Sequence, residues 1–286
     1  MSDLLSRSSA HWSEEKRAGM EAFYTLATDD YRHLAQARDW PTLFEALEAR
    51  AGNRPIRLLD VACGSGKFPN ALVRHTGLNN ALSQPIETSL LDPSSFSIAE
   101  ARAALPAPFR PAAELETTLQ AFTPPAERYD VVWATHALYA IPKEELAAAL
   151  KQFLAAIAPG GVGVIAHSAE AGHYVRFHRH YLQAMGVDDA RPYISAEMIT
   201  DTLRELGAAV DVQEVEYATA ASAHETSAVE GFLQRCVFDD RMTLADMQAK
   251  EPLASYLAGC RDQENWRFRQ CAWLITITSE DDRTQR

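Results

Sequence analysis

The 286-residue chain is poor in cysteine: it has only Cys63, Cys236, Cys260 and Cys271. None shows C-x-x-C spacing, which argues against a disulfide scaffold. No uninterrupted apolar run is long enough to span a bilayer. The start, Met1-Ser2-Asp3-Leu4, lacks the basic and then apolar stretches of a secretory signal. Together these absences predict a reduced, cytoplasmic protein with no membrane partner. Positive charge is scarce too: 27 basic residues against 39 acidic ones give a net charge of −12. A phosphate-backbone partner demands basic patches, so no nucleic acid is expected. The one local basic cluster is Arg176-Phe177-His178-Arg179-His180. His173, His178 and His180 lack the spacing and carboxylate of a H-E-x-x-H site, and no metal is expected.

The chain does have apolar content, 47%, enough for a sizeable core. Ile56, Leu58, Leu59 and Val61 read as a buried strand. A turn of small residues follows, Ala62-Cys63-Gly64-Ser65-Gly66, and then a helix from Lys67 to His75. Glycine permits a sharp turn and close approach of a ligand to the main chain. The helix start offers unpaired N–H groups, and Asp60 at the strand end can accept hydrogen bonds. A second strand, Glu87 to Leu91, leads to Asp92-Pro93-Ser94. A carboxylate at that point bonds ribose hydroxyls in nucleotide-binding α/β units, though Asp92 stands somewhat beyond the usual spacing of about 20 residues. Ser94 is placed to cap a helix from Phe96 to Ala104.

Neither G-x-G-x-x-G nor the phosphate-loop pattern is present. The line D-x-[AG]-x-G-x-G, from Asp60 to Gly66, resembles the first motif of class I S-adenosylmethionine-dependent methyltransferases. Downstream alternation supports a parallel sheet with helices on both faces. Strand three lies within Phe109 to Phe122, strand four is Tyr129 to Ala134, and a helix spans Lys143 to Ile157. A Pro159-Gly160-Gly161 turn precedes strand five, Val162 to Ala166. Helices are expected over His173 to Met185, over Ser195 to Leu206, and through most of Glu225 to Tyr256. Strands are expected at Val210 to Tyr217 and Ala272 to Thr278. Residues 1–54 read as helices, with a break near Thr28-Asp29-Asp30.

Several segments are similar to histamine N-methyltransferase and its relatives: Asp92-Pro93-Ser94, Tyr129 to Tyr139, Pro192-Tyr193-Ile194-Ser195, Leu203 to Gly207, Glu230-Gly231-Phe232-Leu233 and Trp273 to Thr278. The resemblance implies a Rossmann-like α/β methyltransferase fold with a central, mostly parallel sheet. It implies an N-terminal helical lid at 1–54 and a catalytic domain at 55–279. Helical substrate insertions fall at about 170–200 and 225–260, and 280–286 is a tail. The implied cofactor is S-adenosyl-L-methionine, with S-adenosyl-L-homocysteine as product. Its site comprises Asp60, Ala62, Gly64, Ser65 and Gly66 in the turn, then Asp92 and Pro93. Thr117, Thr118, Thr135 and His136 complete it. The acceptor region comprises Tyr24, Asp29, Asp30 and Tyr139, joined by His173, Phe177 and Arg269.

The implied partner is a small-molecule methyl acceptor, and the chain is expected to be a monomer or homodimer. Methyl transfer is an in-line displacement at a sulfonium carbon, so the acceptor lone pair must be held about 3–3.5 Å away and water excluded. A nitrogen of an amine or imidazole compound suits the implied site. His136, with an ordinary pKa near 6.5, and Asp29, with Tyr139 beside them, are the catalytic candidates. Relatives carry Gln at the position of His136. O- or C-methylation of a natural product is the alternative within this class. A non-catalytic cofactor-binding regulator is the alternative outside it.

Overall fold

The computed structural model describes residues 4–187 and 193–278. Pro192 and the tail 280–286 lie outside the described residues. Three helices lead: α1 (Leu4–His11), α2 (Arg17–Gln36) and α3 (Trp40–Ala51). The alternating part follows with β1 (Ile56–Val61), α4 (Lys67–Thr76), β2 (Ile86–Asp92), α5 (Ser95–Ala104) and β3 (Phe109–Glu116). It continues with β4 (Tyr129–Thr135), α6 (Lys143–Ala156), β5 (Ile157–Ser168), α7 (His173–Met185) and α8 (Ala196–Glu205). β6 (Ala209–Ser222), α9 (Thr226–Cys236), α10 (Leu244–Ala249), α11 (Leu253–Gly259) and β7 (Asn265–Thr278) complete the fold.

The seven strands form one sheet in the order β3-β2-β1-β4-β5-β7-β6. β1 to β5 pair in parallel, and β7 runs antiparallel between β5 and β6. This is the expected mostly parallel α/β architecture of a class I methyltransferase. The central strands read as continuous apolar runs because both faces are covered. Leu58, Val131 and Trp133 pack on one face with Leu34, Trp40 and Phe44 from the leading helices. Leu59, Val132 and Ile165 pack on the other with Phe153 and Ile199. Each such buried side chain contributes roughly 1.5–3 kcal/mol. The helices before β1 therefore share the core of the sheet.

α2 runs unbroken through Thr28-Asp29-Asp30, where the sequence suggests a break. All three polar side chains are satisfied without leaving the helix. Thr28 Oγ1 donates to the Tyr24 carbonyl at 2.6 Å, and Arg32 Nε donates to Asp29 at 2.6 Å. Asp30 takes a hydroxyl from Thr219 at 3.2 Å and another from Tyr174. The Pro159-Gly160-Gly161 turn also differs from expectation, since it lies inside β5. The strand begins at Ile157 opposite Tyr129, and the register shifts before Val162 pairs with Val131. A side chain at Gly161 would meet the Asp130 carbonyl oxygen at 2.9 Å, so this bulge packs against β4 at a glycine.

β6 and β7 are longer than expected, pairing from Ala209↔Thr278 to Ser222↔Asn265. Their extra length carries Thr219 and Phe268 beyond the parallel strands. There they meet a third apolar cluster built by α2, α7 and α9 to α11, including Tyr174, Phe177, Phe232 and Trp266. This cluster stands over the carboxyl ends of the central strands, where ligands of open α/β sheets bind.

Candidate active site

The turn after β1 is wound by three left-handed residues, Ala62 (φ 50°), Gly64 (φ 53°) and Gly66 (φ 66°). The two glycines do different work. A side chain at Gly66 would meet the Ala101 Cα at 3.1 Å and its carbonyl oxygen at 3.2 Å, so Gly66 seats α5 on the turn. Gly64 instead borders a cavity, and a side chain there would lie 3.5 Å from the Tyr24 hydroxyl. Ser65 lies in a separate shallow groove beside Tyr24 and Lys67. Of the expected turn residues, Asp60, Ala62 and Gly64 line the cavity; Ser65 and Gly66 do not.

The cavity runs over the carboxyl ends of β1, β2 and β4. At one end stand Asp60, Gly64, Asp92, Pro93 and Thr118. Asp92 accepts from the Gly64 N–H at 3.1 Å and the Ser94 N–H at 2.9 Å, which fixes its carboxylate over the turn. Ser94 caps α5, as its sequence position predicts. Thr117 is set back from the cavity: its N–H donates to the Asp92 carbonyl at 3.2 Å, and Thr118 is the residue that reaches the wall.

Thr135 and His136 end β4 at the middle of the cavity. His136 adopts φ 50°, held by its N–H donating to the Ala166 carbonyl at 2.8 Å. Its Nδ1 lies 2.6 Å from the Tyr139 hydroxyl, and that oxygen accepts from the Ser168 N–H at 3.3 Å.

The other end is walled by tyrosines: Tyr24, Tyr31, Tyr139, Tyr174 and Tyr193. Among them Asp30 is 1% exposed. Burial pushes the Asp30 and Asp60 carboxyls up to about 7 and that of Asp92 up to about 6. No cation among the described residues pulls any of the three back down. Burial also lowers His136 to about 4, so its ring is neutral near pH 7. This corrects the expectation of a base poised near 6.5.

Four expected acceptor-site residues lie elsewhere. Asp29 faces outward, bound to Arg32 and 3.3 Å from His33, while the next residue, Asp30, enters the cavity. His173 Nδ1 bonds the Tyr256 hydroxyl at 2.8 Å, and its ring stacks between Phe177 and Phe232 in the apolar cluster. Phe177 is fully buried in the same stack. Arg269 is exposed on β7 opposite Ala218. The α7 histidines also diverge: His178 stacks on Tyr193, and His180 lies 4.7 Å from the Tyr256 ring. Neither belongs to a metal-capable group among the described residues; the single such group, Glu214, Glu216 and Cys271, is outside the cavity.

Several lining residues escape sequence reasoning. Tyr174 is one position past the expected His173 on α7. Lys67 opens α4 with its ammonium 4.6 Å over the Tyr24 ring. Ser8, Ser9 and Trp12 from the N-terminal segment roof the cavity. Ser94 Oγ donates to the Trp12 carbonyl at 2.6 Å. The Arg235 guanidinium stacks 4.7 Å over the Trp12 ring and donates to the carbonyls of His11 and Lys16.

A family model described as a methyltransferase domain matches residues 31–213, more than half of the chain. No curated protein matches significantly. Among solved structures, protein BH2331 of Bacillus halodurans C-125 superposes with TM-score 0.52 at 15% identity, over 82% of this chain and 96% of that one. Magnesium protoporphyrin IX methyltransferase from Synechocystis PCC 6803, with S-adenosylhomocysteine bound, superposes with TM-score 0.51 at 13% identity, over 97% and 100%. These two likenesses concern the fold. With the family match, the glycine turn and the Asp92 carboxylate above it, the chain belongs to the methyltransferase-domain family and is an S-adenosylmethionine-dependent methyltransferase.

Proposed function

We propose that this enzyme methylates a nitrogen of a small amine or imidazole compound. The observation that carries this reading is the charge of the cavity. Asp30, Asp60 and Asp92 line it, and none forms an ion pair with a cation among the described residues. Lys67 and Arg235, the cations on the cavity wall, sit over the Tyr24 and Trp12 rings, so Asp30 offers a carboxylate with no paired cation among the described residues. That suits a cationic or neutral nitrogen better than an anionic acceptor. Tyrosine faces around Asp30 add cation–π attraction, worth roughly 0.5–2 kcal/mol.

The residues fit S-adenosylmethionine. Gly64 leaves main chain open to close approach, Asp92 offers a carboxylate for ribose hydroxyls, and Thr118 and Pro93 flank it. Asp60 stands at the turn, suited to the methionine ammonium. Thr135 and His136 lie between the two ends of the cavity. When bound, the cofactor supplies an electrophilic methyl group on a sulfonium. Asp30 then orients the acceptor, accepting a hydrogen bond from its nitrogen. As the C–N bond forms and the C–S bond breaks, the nitrogen becomes cationic, and Asp30 is placed to take the proton it sheds. Tyr24, Tyr31 and Tyr139 fill the walls, and the roof of Ser8, Ser9 and Trp12 keeps water out. The segment carrying Ser8, Ser9 and Trp12 serves as the lid of this site, anchored by Ser94 and Arg235.

The test is a screen of small acceptors with methyl-labelled cofactor, followed by mapping of the methylated atom. Transfer to amine or imidazole nitrogen is expected. Transfer only to oxygen or carbon across a broad panel would overturn the reading.

A further inference from the structure

The hydrogen-bond chain behind His136 decides which of its ring nitrogens carries the proton. The Tyr139 oxygen accepts from the Ser168 N–H, a group that can only donate. The Tyr139 proton then has one recipient among the described residues, His136 Nδ1 at 2.6 Å. A neutral imidazole that accepts at Nδ1 must carry its proton on Nε2. Further packing holds this arrangement. The Tyr139 ring lies 3.9 Å from His167 and 4.6 Å from Tyr193, and backbone bonds fix both ends of the turn that carries His136. Nε2 itself is buried with no hydrogen-bond partner among the described residues, although the His136 side of the cavity is walled by Tyr31 and Tyr174. An unmatched buried donor is destabilising, so a ligand that satisfies it gains selectively.

We propose that His136 is a specificity-determining donor: its Nε2–H reads a lone pair on the acceptor, at a point other than the nitrogen held by Asp30. This rests on the nitrogen-methylation reading and narrows it. The acceptor class is an amine that also bears a lone-pair group, such as a ring nitrogen, hydroxyl or carbonyl. Plain alkyl and aryl amines fill the same space but leave Nε2 unmatched. His136 then acts as a donor and not as the base, in keeping with burial, which makes its ring a weak proton acceptor.

The experiment uses the full chain with S-adenosylhomocysteine bound and two probes of nearly equal shape, pyridylethylamine with its ring nitrogen ortho to the side chain and phenylethylamine. Heteronuclear NMR of the histidine ring nitrogens is expected to show His136 protonated on Nε2. The pyridyl probe should shift that Nε2 signal and bind roughly tenfold more tightly than the phenyl probe. His136→Leu should erase the preference, and His136→Gln, which keeps an N–H, should restore part of it. Tyr139→Phe should release the tautomer, visible in the ring-nitrogen spectrum whether or not turnover survives. A proton on Nδ1 would overturn the proposal. So would equal affinity for the two probes, the result expected if Nε2–H is spent on the Tyr31 ring, which lies edge-on at 6.1 Å. Failure of the nitrogen-methylation reading looks different: the Nε2 proton would be in place, and methyl would appear on oxygen or carbon in the acceptor screen.

Discussion

The Tyr174 hydroxyl, on α7, donates to the Asp30 carboxylate, on α2. This one contact joins a helix before the first strand to a helix after the fifth. It also spends one carboxylate lone pair and leaves others for a ligand.

Asp30→Asn keeps the shape and removes the charge. Losing a hydrogen bond to a charged group costs about 1.5–3 kcal/mol, so acceptor kcat/KM should fall roughly 10- to 150-fold. Cofactor affinity should stay within about twofold. Steady-state kinetics beside calorimetry checks this, and equal losses in both would remove Asp30 from the acceptor end.

The same variant reports on pH. The native Asp30 carboxyl titrates at about 7, raised by burial from an ordinary 3.8. Between these values the native state keeps a proton that the unfolded chain has released. Stability therefore falls as pH rises through that window. The amide of the variant cannot ionise, so its Tm relative to the native protein should climb from about pH 4 to about pH 7 and then level. Buried histidines tilt the other way. His136 is lowered to about 4 and His167 and His178 to about 3, so their contribution is full above 6.5 and is lost as pH falls toward those values. A difference in Tm that stays flat with pH would show that Asp30 does not titrate as the structure implies.

The two turn glycines should separate folding from binding. Gly66→Ala forces a side chain onto Ala101 backbone at a left-handed φ and should cost about 2–3 kcal/mol in denaturant unfolding. Gly64→Ala meets only ordinary contacts and should cost about 1–2 kcal/mol, while weakening cofactor binding at least about tenfold.

Asp92→Ala should weaken S-adenosylmethionine binding by roughly tenfold or more, since it removes a carboxylate and frees the Gly64 N–H. Calorimetry with NAD as a control is the direct measurement. Undiminished affinity would mean that Asp92 serves the turn alone.

Arg269→Ala should leave acceptor KM unchanged, because the side chain is exposed on β7. His173→Ala should cost about 2–5 kcal/mol of stability by emptying an aromatic stack, without changing which acceptor is chosen. A shift in acceptor preference in either variant would reinstate that residue in the site.

These two residues also show where sequence reading stops. The cofactor end was legible because it is local: strand, turn and capped helix follow one another, and Asp92 lies on the neighbouring strand β2. The acceptor end is assembled from distant segments. Asp30 meets Tyr174 and Thr219 only because α2, α7 and the β6–β7 ribbon converge. α7 has an exposed stripe of Arg176, Arg179 and Gln183, but His173 and Tyr174 both lie on its broad buried side, so burial alone does not tell which of the two the cavity receives. On β7 a step of one residue reverses the face: Arg269 is exposed and Gln270 is buried. Asp29 and Asp30 differ in the same way on a helix. Their identity points to a break, yet partners in space make them helix interior. His136 was located by motif order, but its protonation depends on Tyr139 and Ser168, and on burial that sequence does not display.

The distribution of carboxylates along the cavity has a consequence for the end of each cycle. On the proposed reading, methyl transfer to a neutral amine creates no net charge; it moves one positive charge from the Asp60 and Asp92 end to the Asp30 end. Countercharge waits at both positions, so the migration needs little rearrangement of the surrounding protein. Afterwards the spent sulfur is neutral and the Asp60 end has lost part of its electrostatic hold. The methylated nitrogen, by contrast, keeps its attraction to Asp30 until its proton passes to that carboxylate. Departure of the two products is thereby made unequal, with the acceptor end tending to retain what the cofactor end lets go.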